Sequence, residues 1–324
     1  MGRLLVGVLL AGLCQGGEGS LWQYVHPQAR AIAGTDWKKV ADSDVGRLLQ
    51  SELARLGLKN TGPASVLDSM ERLLISSPGA SGLQKDPPAL VALEGRFDSP
   101  RVRAVLAEGT TSKRYRGIEI CSGPRGSGGQ PMELAILSHT LLLIGDRSSV
   151  RAAIDHAVPP SGPLMARARR MAAENEIWAV MSTPPSAFAG EGLPQAALLK
   201  DIQGMDLGVA LGRGMAISLH LKSSTPAKAK EMNAALATLL SLAEMESGDQ
   251  QLKQLASRVR ISADSNTVAV TFAMDAGELR ESLRAVSGRL RQSAATAPTP
   301  RRMVIRIEGL DDGPREIPMN LTVR

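Results

Sequence analysis

Five times along this chain an apolar, strand-like run passes through a short polar cap into an amphipathic helix: Ala31–Ala54, Leu90–Ala107, Leu141–Ala157, Ile217–Leu240 and Val268–Val286. A strand and the helix it feeds must each bury an apolar face, so the recurrence restricts the chain to a layered build. Between these runs lie hairpin patterns rather than lone crossovers, which favours antiparallel pairing. The expected fold class is α+β: two tandem units of mostly antiparallel sheet with helices packed on one face. The spacing is too irregular for a short-period solenoid.

The 324 residues suffice for one large or two medium domains. Residues 20–160 read as a first α+β unit and 161–290 as a second, divided at the turn-rich run Val158–Pro163. In the first unit, strands are expected near Ala29–Trp37, Arg72–Ile75, Ala89–Phe97, Tyr115–Cys121, Met132–Leu137 and Leu141–Gly145. A helix is expected near Ser43–Leu56, with Asp42 at its cap, and others capped by Asp98 or Ser99 and by Asp146 or Ser148. In the second, a basic helix Leu164–Ala173 precedes a strand at Ile177–Met181. Two hairpins, Gly208–Leu211 with Met215–Leu221 and Val259–Ser262 with Val268–Phe272, flank a long helix begun by Thr225-Pro226. Asp275 and Glu278 have capping-box spacing. Residues 291–324 form a basic linker and tail. Its Met303–Glu308 run alternates like a strand, either an extra edge strand or one that adds to a partner's sheet.

Residues 1–19 read as a signal peptide: Arg3 is the positive start, Leu4–Leu13 the apolar stretch, and small residues follow through Gly19. The stretch is too short to cross about 30 Å of hydrocarbon as a helix, so a chain exported to the periplasm or the exterior is expected, with no membrane-spanning helix after cleavage. Cys14 is the candidate lipidation site, although Leu13 stands where lipidation favours a small residue. Cleavage beyond Cys14 would leave Cys121 as the one remaining cysteine, and the core rather than a disulfide must then hold the fold.

The formal net charge of +6 suits an anionic envelope component as partner, though the basic clusters at Lys113–Arg116, Arg167–Arg170 and Arg280–Arg302 read first as solvated faces. Aromatic residues make up 2% of the chain, too few for a stacking platform, so nucleic acid is not an expected partner.

Candidate chemistry is sparse. His26, His139, His156 and His220 show no metal-ligand spacing, and a surface position is expected for each. A Cys121/His139 dyad fails on geometry, because the hairpin puts them at opposite ends, roughly 20 Å apart. The loop Gly123–Gly129 opens into a strand, whereas phosphate loops open into a helix. Asp42/Asp44 and Asp311/Asp312 are explained by a helix cap and a turn. No Gly-x-Ser-x-Gly elbow occurs. No catalytic, cofactor or metal residue is therefore assigned, and no cofactor is expected.

The stretch Leu141–Asp155, with its Gly145-Asp146 and Val150-Arg151-Ala152-Ala153-Ile154-Asp155, resembles a loosely defined group of exported bacterial proteins of unknown function; Leu93–Asp98 and Ala31–Asp36 are similar too. The resemblance implies an exported structural build and supplies no catalytic residues. The leading expectation is a non-catalytic binding or scaffold protein of the bacterial cell envelope, with an unidentified protein or anionic component as partner. The alternative is a secreted hydrolase with an unrecognised site, involving His220 or the loop Ser182–Pro194.

Overall fold

The computed structural model describes residues 19–55, 69–79, 88–98, 100, 102, 110–125, 131–156, 158, 160–182, 201–246, 250–282, 303–307 and 315–319. A four-residue helix, α1 (Gly19–Trp22), leads to β1 (Ala31–Asp36), which runs straight into α2 (Trp37–Asp42) and α3 (Asp44–Arg55). Then come β2 (Met70–Ser77), β3 (Leu90–Gly95), β4 (Thr111–Tyr115), β5 (Ile118–Arg125), β6 (Pro131–Ser138) and β7 (Leu141–Asp146). Helices α4 (Arg147–Asp155) and α5 (Pro163–Glu174) carry the chain to β8 (Ile177–Met181), β9 (Ile202–Ala210) and β10 (Gly214–Ser223). Helices α6 (Pro226–Glu246) and α7 (Gln250–Ala256) precede β11 (Arg260–Asp264) and β12 (Thr267–Asp275).

These twelve strands form one antiparallel sheet in the order β11-β12-β10-β9-β8-β1-β2-β3-β7-β6-β5-β4. The chain starts in the middle. It builds outward through β2 and β3, and the β4–β7 meander fills back until β7 lies on β3. Helices α4 and α5 then carry it across the sheet to β8, which pairs with the other edge of β1. The strands expected in separate halves therefore share one hydrogen-bonded sheet.

The helices do not share a face, contrary to expectation, and the register gives the reason. The row Ile32–Val180–Asp206–His220–Ala269 crosses β1, β8, β9, β10 and β12 on one face, turning from apolar to polar between β8 and β9. The adjacent row, Ala33–Ala179–Leu207–Leu219–Val270, is apolar on the other face. The apolar stripe thus changes sides, and helices must follow it to bury it. Met165, Ala168 and Met171 of α5 pack on Ile32, Leu74, Trp178 and Val180. Ala229 and Met232 of α6 pack on the opposite face, against Ile202, Leu221 and Val268. β7 lies where both faces are covered, and five of its six residues are buried. Each of its leucines contributes about 1.5–3 kcal/mol of burial.

Two local expectations also change. The single strand at Tyr115–Cys121 is interrupted by a turn at Arg116 (φ 48°) and Gly117 (φ 82°), which creates the β4–β5 hairpin. Two successive positive φ values fit the right-handed twist of the flanking strands. The cap of α3 is Ser43, whose Oγ accepts from the Gly46 amide at 2.9 Å, rather than the exposed Asp42. Two other caps follow expectation: Asp146, of the Asp146/Ser148 alternatives, accepts from the Ser149 amide at 3.0 Å, and Asp275 and Glu278 exchange backbone bonds as a capping box.

Met1–Leu279 form one compact unit and Arg280–Arg324 another. Beyond Ser282 the described part of the second is a hairpin of β13 (Met303–Ile307) and β14 (Arg315–Met319), so the expected strand at 303 pairs within its own tail. Among the described residues no helix is long and apolar enough to cross a membrane.

Candidate functional site

The chain has three tryptophans, and two of them meet in one cleft. Inward-facing residues of β8 alternate, which puts Trp178 and Val180 on the α5 face. Opposite Trp178 in the β1 register is Gly34. A Cβ at Gly34 would stand 2.6 Å from the Trp178 Cζ2 atom, so only glycine lets the indole lie over β1 there. Trp22 of α1 stacks on Trp178 with centroids 5.5 Å apart and planes 20° apart. The Arg169 guanidinium lies 6.0 Å from the Trp22 ring centre. Glycine, indole, indole and guanidinium thus form a column rising from the sheet.

Beside the column is a cavity of about 370 Å³, within the range of small-molecule sites. Leu21, Leu74, Ala172 and Ala173 give it an apolar lining together with the two indoles. Arg169, Ala172 and Ala173 stand at i, i+3 and i+4 on α5, so one helical strip supplies a charge and two small residues to the wall. The remaining charged groups at the cleft are Asp36, Lys39 and Arg72. Asp36 caps α2, accepting from the Lys39 amide at 3.0 Å and pairing with its Nζ at 3.4 Å. Arg72 pairs across β2–β3 with Glu94 at 2.7 Å. Among the described residues no carboxylate pairs with Arg169, whose side chain is exposed.

A second polar group lies buried behind α1. His26, Ser76, Asp146 and Ser149 are each at most 9% exposed. Three residue types of a hydrolytic triad are therefore close, but the hydrogen bonds run the wrong way. In a working triad the imidazole Nδ1–H donates to the carboxylate and Nε2 accepts from the serine. Here the Gln28 amide donates to His26 Nδ1 at 3.1 Å, and the His26 backbone amide donates to Ser76 Oγ at 2.9 Å. Asp146 is taken up by its cap, accepting from Ser148 Oγ, the Ser149 amide and Ser149 Oγ. The cluster holds α4 and the His26 turn onto the sheet.

It also makes the fold acid-sensitive. Burial pushes the His26 imidazole below its ordinary value, against the pull of the Asp146 carboxylate. Burial raises Asp146, but the bonds from Ser148 and Ser149 outweigh it and hold the carboxyl below its usual range. Both groups bind protons more weakly folded than unfolded. The stability each contributes is complete above its unfolded pKa, about 6.5 for histidine and 3.9 for aspartate, and is lost as pH falls through the folded value. Urea unfolding of the native chain should therefore give lower stability at pH 5.5 than at pH 7.5. His26→Gln should flatten that difference, with the Asp146 contribution disappearing only at lower pH.

The residues singled out from sequence do not converge on a site. Cys121 is buried inside β5 opposite Leu134, while His139 is exposed at the β6–β7 turn, five residues beyond Leu134 and about 17 Å along the strand. His156 is exposed at the end of α4, and His220 is half-buried beside Ser218 and Lys222 on the polar side of β10. His26 corrects the expectation of a surface position for every histidine. Asp44 is exposed and pairs with Arg47 at 2.6 Å. Among the described residues no group of three or more His, Cys, Asp or Glu is placed to hold a metal. Residues 1–18 with Cys14, loop residues 126–129, residues 183–194 and Asp311/Asp312 lie outside the described residues.

Sequence reasoning missed Trp22, Trp178, Gly34 and the separate role of Arg169 within its basic cluster. The usable signal was scarcity: in a chain so poor in aromatics, each tryptophan is informative.

No family model matches the chain, and no curated protein matches it. Among solved structures, crystal form I of TP0453 aligns over 84% of this chain and 99% of its own length, with a TM-score of 0.46 and 9% sequence identity. At that level neither its fold nor its biology transfers to this chain.

Proposed function

We propose that this protein is an exported, non-catalytic binding protein of the bacterial cell envelope, and that the cleft between α1, α5 and β1 is where it holds a small, largely apolar ligand. The observation that carries this reading is the paired indoles of Trp22 and Trp178 beside an open apolar cavity of about 370 Å³. A flat or slender apolar body entering it would leave water on several sides at once, which is the main source of small-ligand affinity. Export rests on the Arg3 and Leu4–Leu13 pattern, and Cys14 remains the lipidation candidate. The tandem division near residue 160 belongs to the same reading, because the chain crosses from one half of the sheet to the other there. The hydrolase alternative draws no support from His26, Ser76 and Asp146, whose bonds oppose a triad.

N-phenyl-1-naphthylamine, a neutral probe that fluoresces in apolar sites, tests the cleft. Excitation of the indoles should transfer to bound probe in the wild type. Ala173 is exposed on the cleft wall, so Ala173→Trp should block the site without disturbing the core and should weaken binding at least tenfold. Unaltered binding in that variant, with its circular dichroism native, would sink the proposal.

A further inference from the structure

We infer that the cleft selects an amphipathic monoanion, an apolar body carrying one carboxylate or sulfonate, and that Arg169 reads the acid group; this rests on the binding reading above. The charges around the cleft are three cations, Lys39, Arg72 and Arg169, and two carboxylates, Asp36 and Glu94. The carboxylates are committed. Asp36 is held by both the amide and the ammonium of Lys39, and Glu94 by Arg72 across neighbouring strands. One positive charge is left over, on Arg169. A single uncompensated cation complements one negative charge rather than a dianion, and it disfavours a cationic ligand.

The kind of cation matters too. A guanidinium can sit over an aromatic face and still present its planar fork of N–H donors, which matches a carboxylate in two places. Arg169 has the first arrangement, 6.0 Å from the Trp22 centroid, while its exposed side chain leaves the donors open. A ligand whose acid group meets Arg169 has its apolar body directed along α5 toward Ala172 and Ala173, against Trp22 and Leu74. Affinity comes from that body. An exposed ion pair adds only a modest amount, so the acid group sets preference rather than bulk affinity.

The test uses two probes with the same ring system, 8-anilinonaphthalene-1-sulfonate and the neutral N-phenyl-1-naphthylamine, titrated into the full exported chain at low salt. The wild type should bind the sulfonate about fivefold more tightly than the neutral probe, a preference that shrinks as salt rises. Arg169→Met should make the two equal by weakening the sulfonate alone, and Arg169→Lys should keep part of the preference. Arg169→Gln serves the same purpose if the methionine variant loses its native circular dichroism. Dodecanoate should displace the neutral probe better than dodecanol does. Equal affinities in the wild type, or a preference surviving in Arg169→Met and Arg169→Gln, would overturn the inference while leaving the cleft as a binding site. If neither probe receives energy from the indoles, the binding reading itself fails and takes this inference with it.

Discussion

Arg167→Ala should destabilise the fold by about 3 kcal/mol, seen as a lower urea midpoint at unchanged slope. Arg167 reaches from α5 to the sheet, where its Nε donates to Asp206 Oδ1 at 2.9 Å and to Oδ2 at 3.2 Å. Its Nη2 also bonds Asp206, and donates to the Met181 carbonyl at 2.9 Å and the Met205 carbonyl at 3.2 Å. Met181 and Met205 face each other at the last pairing of β8 with β9. One side chain thus ties a helix, an aspartate, the end of β8 and the body of β9 together, at the point where the apolar stripe changes face. Truncation leaves the Asp206 carboxylate, 12% exposed, without its main partner. Removing one member of such a pair costs more than the pair contributes, because a desolvated charge stays behind. Arg170, 3.9 Å from Asp206 and well exposed, offsets part of this and places the loss at the lower end of the usual range. Asp206→Asn in the Arg167→Ala background should recover stability by removing that stranded charge. If the double variant is no more stable than Arg167→Ala alone, the carboxylate is not the source of the loss.

This junction also shows where sequence reading stops. β8 is legible at both ends, Ile177 and Met181, because a short apolar run lies between a polar helix end and a loop signal. The Asp146 cap and the Asp275–Glu278 box are legible because capping chemistry is local. The change of face is not local. It arises because Val180 pairs with Asp206 and Asp206 with His220, a parity relation between strands that no short window contains. The β4–β5 turn is hidden for another reason: Arg116-Gly117 lacks the Asn-Gly or Asp-Gly signature that such turns usually carry. His26 reads as a surface residue in sequence because its burial depends on Ser76, fifty positions away. The cleft compounds all of these, drawing on residues from Leu21 to Trp178 that meet only after the sheet has closed around β1.

Gly34→Val should destabilise the fold and collapse the cleft together, because it puts a side chain where the Trp178 indole lies. A Cβ there would meet Trp178 Cζ2 at 2.6 Å, Cε2 at 2.9 Å and the Leu73 carbonyl oxygen at 3.1 Å. The backbone contact cannot move without breaking the β1–β2 ladder, so the indole must leave. Trp178 is 5% exposed and belongs to the main core, and expelling it couples overpacking to lost burial, a cost of about 3 kcal/mol. Three readouts should change together: a lower urea midpoint, a red shift of tryptophan emission as the indole meets water, and loss of neutral-probe binding. A double-mutant cycle separates this collision from a general intolerance of valine at position 34. Trp178→Ala alone should cost about 3–5 kcal/mol through the cavity it leaves. Combined with Gly34→Val, the valine methyls occupy part of that space, so the double variant should lose less than the two single changes together by about 1 kcal/mol or more. Strict additivity would place the damage in the β1 backbone instead, and the column of glycine, indole, indole and guanidinium would then not be the element that shapes the cleft.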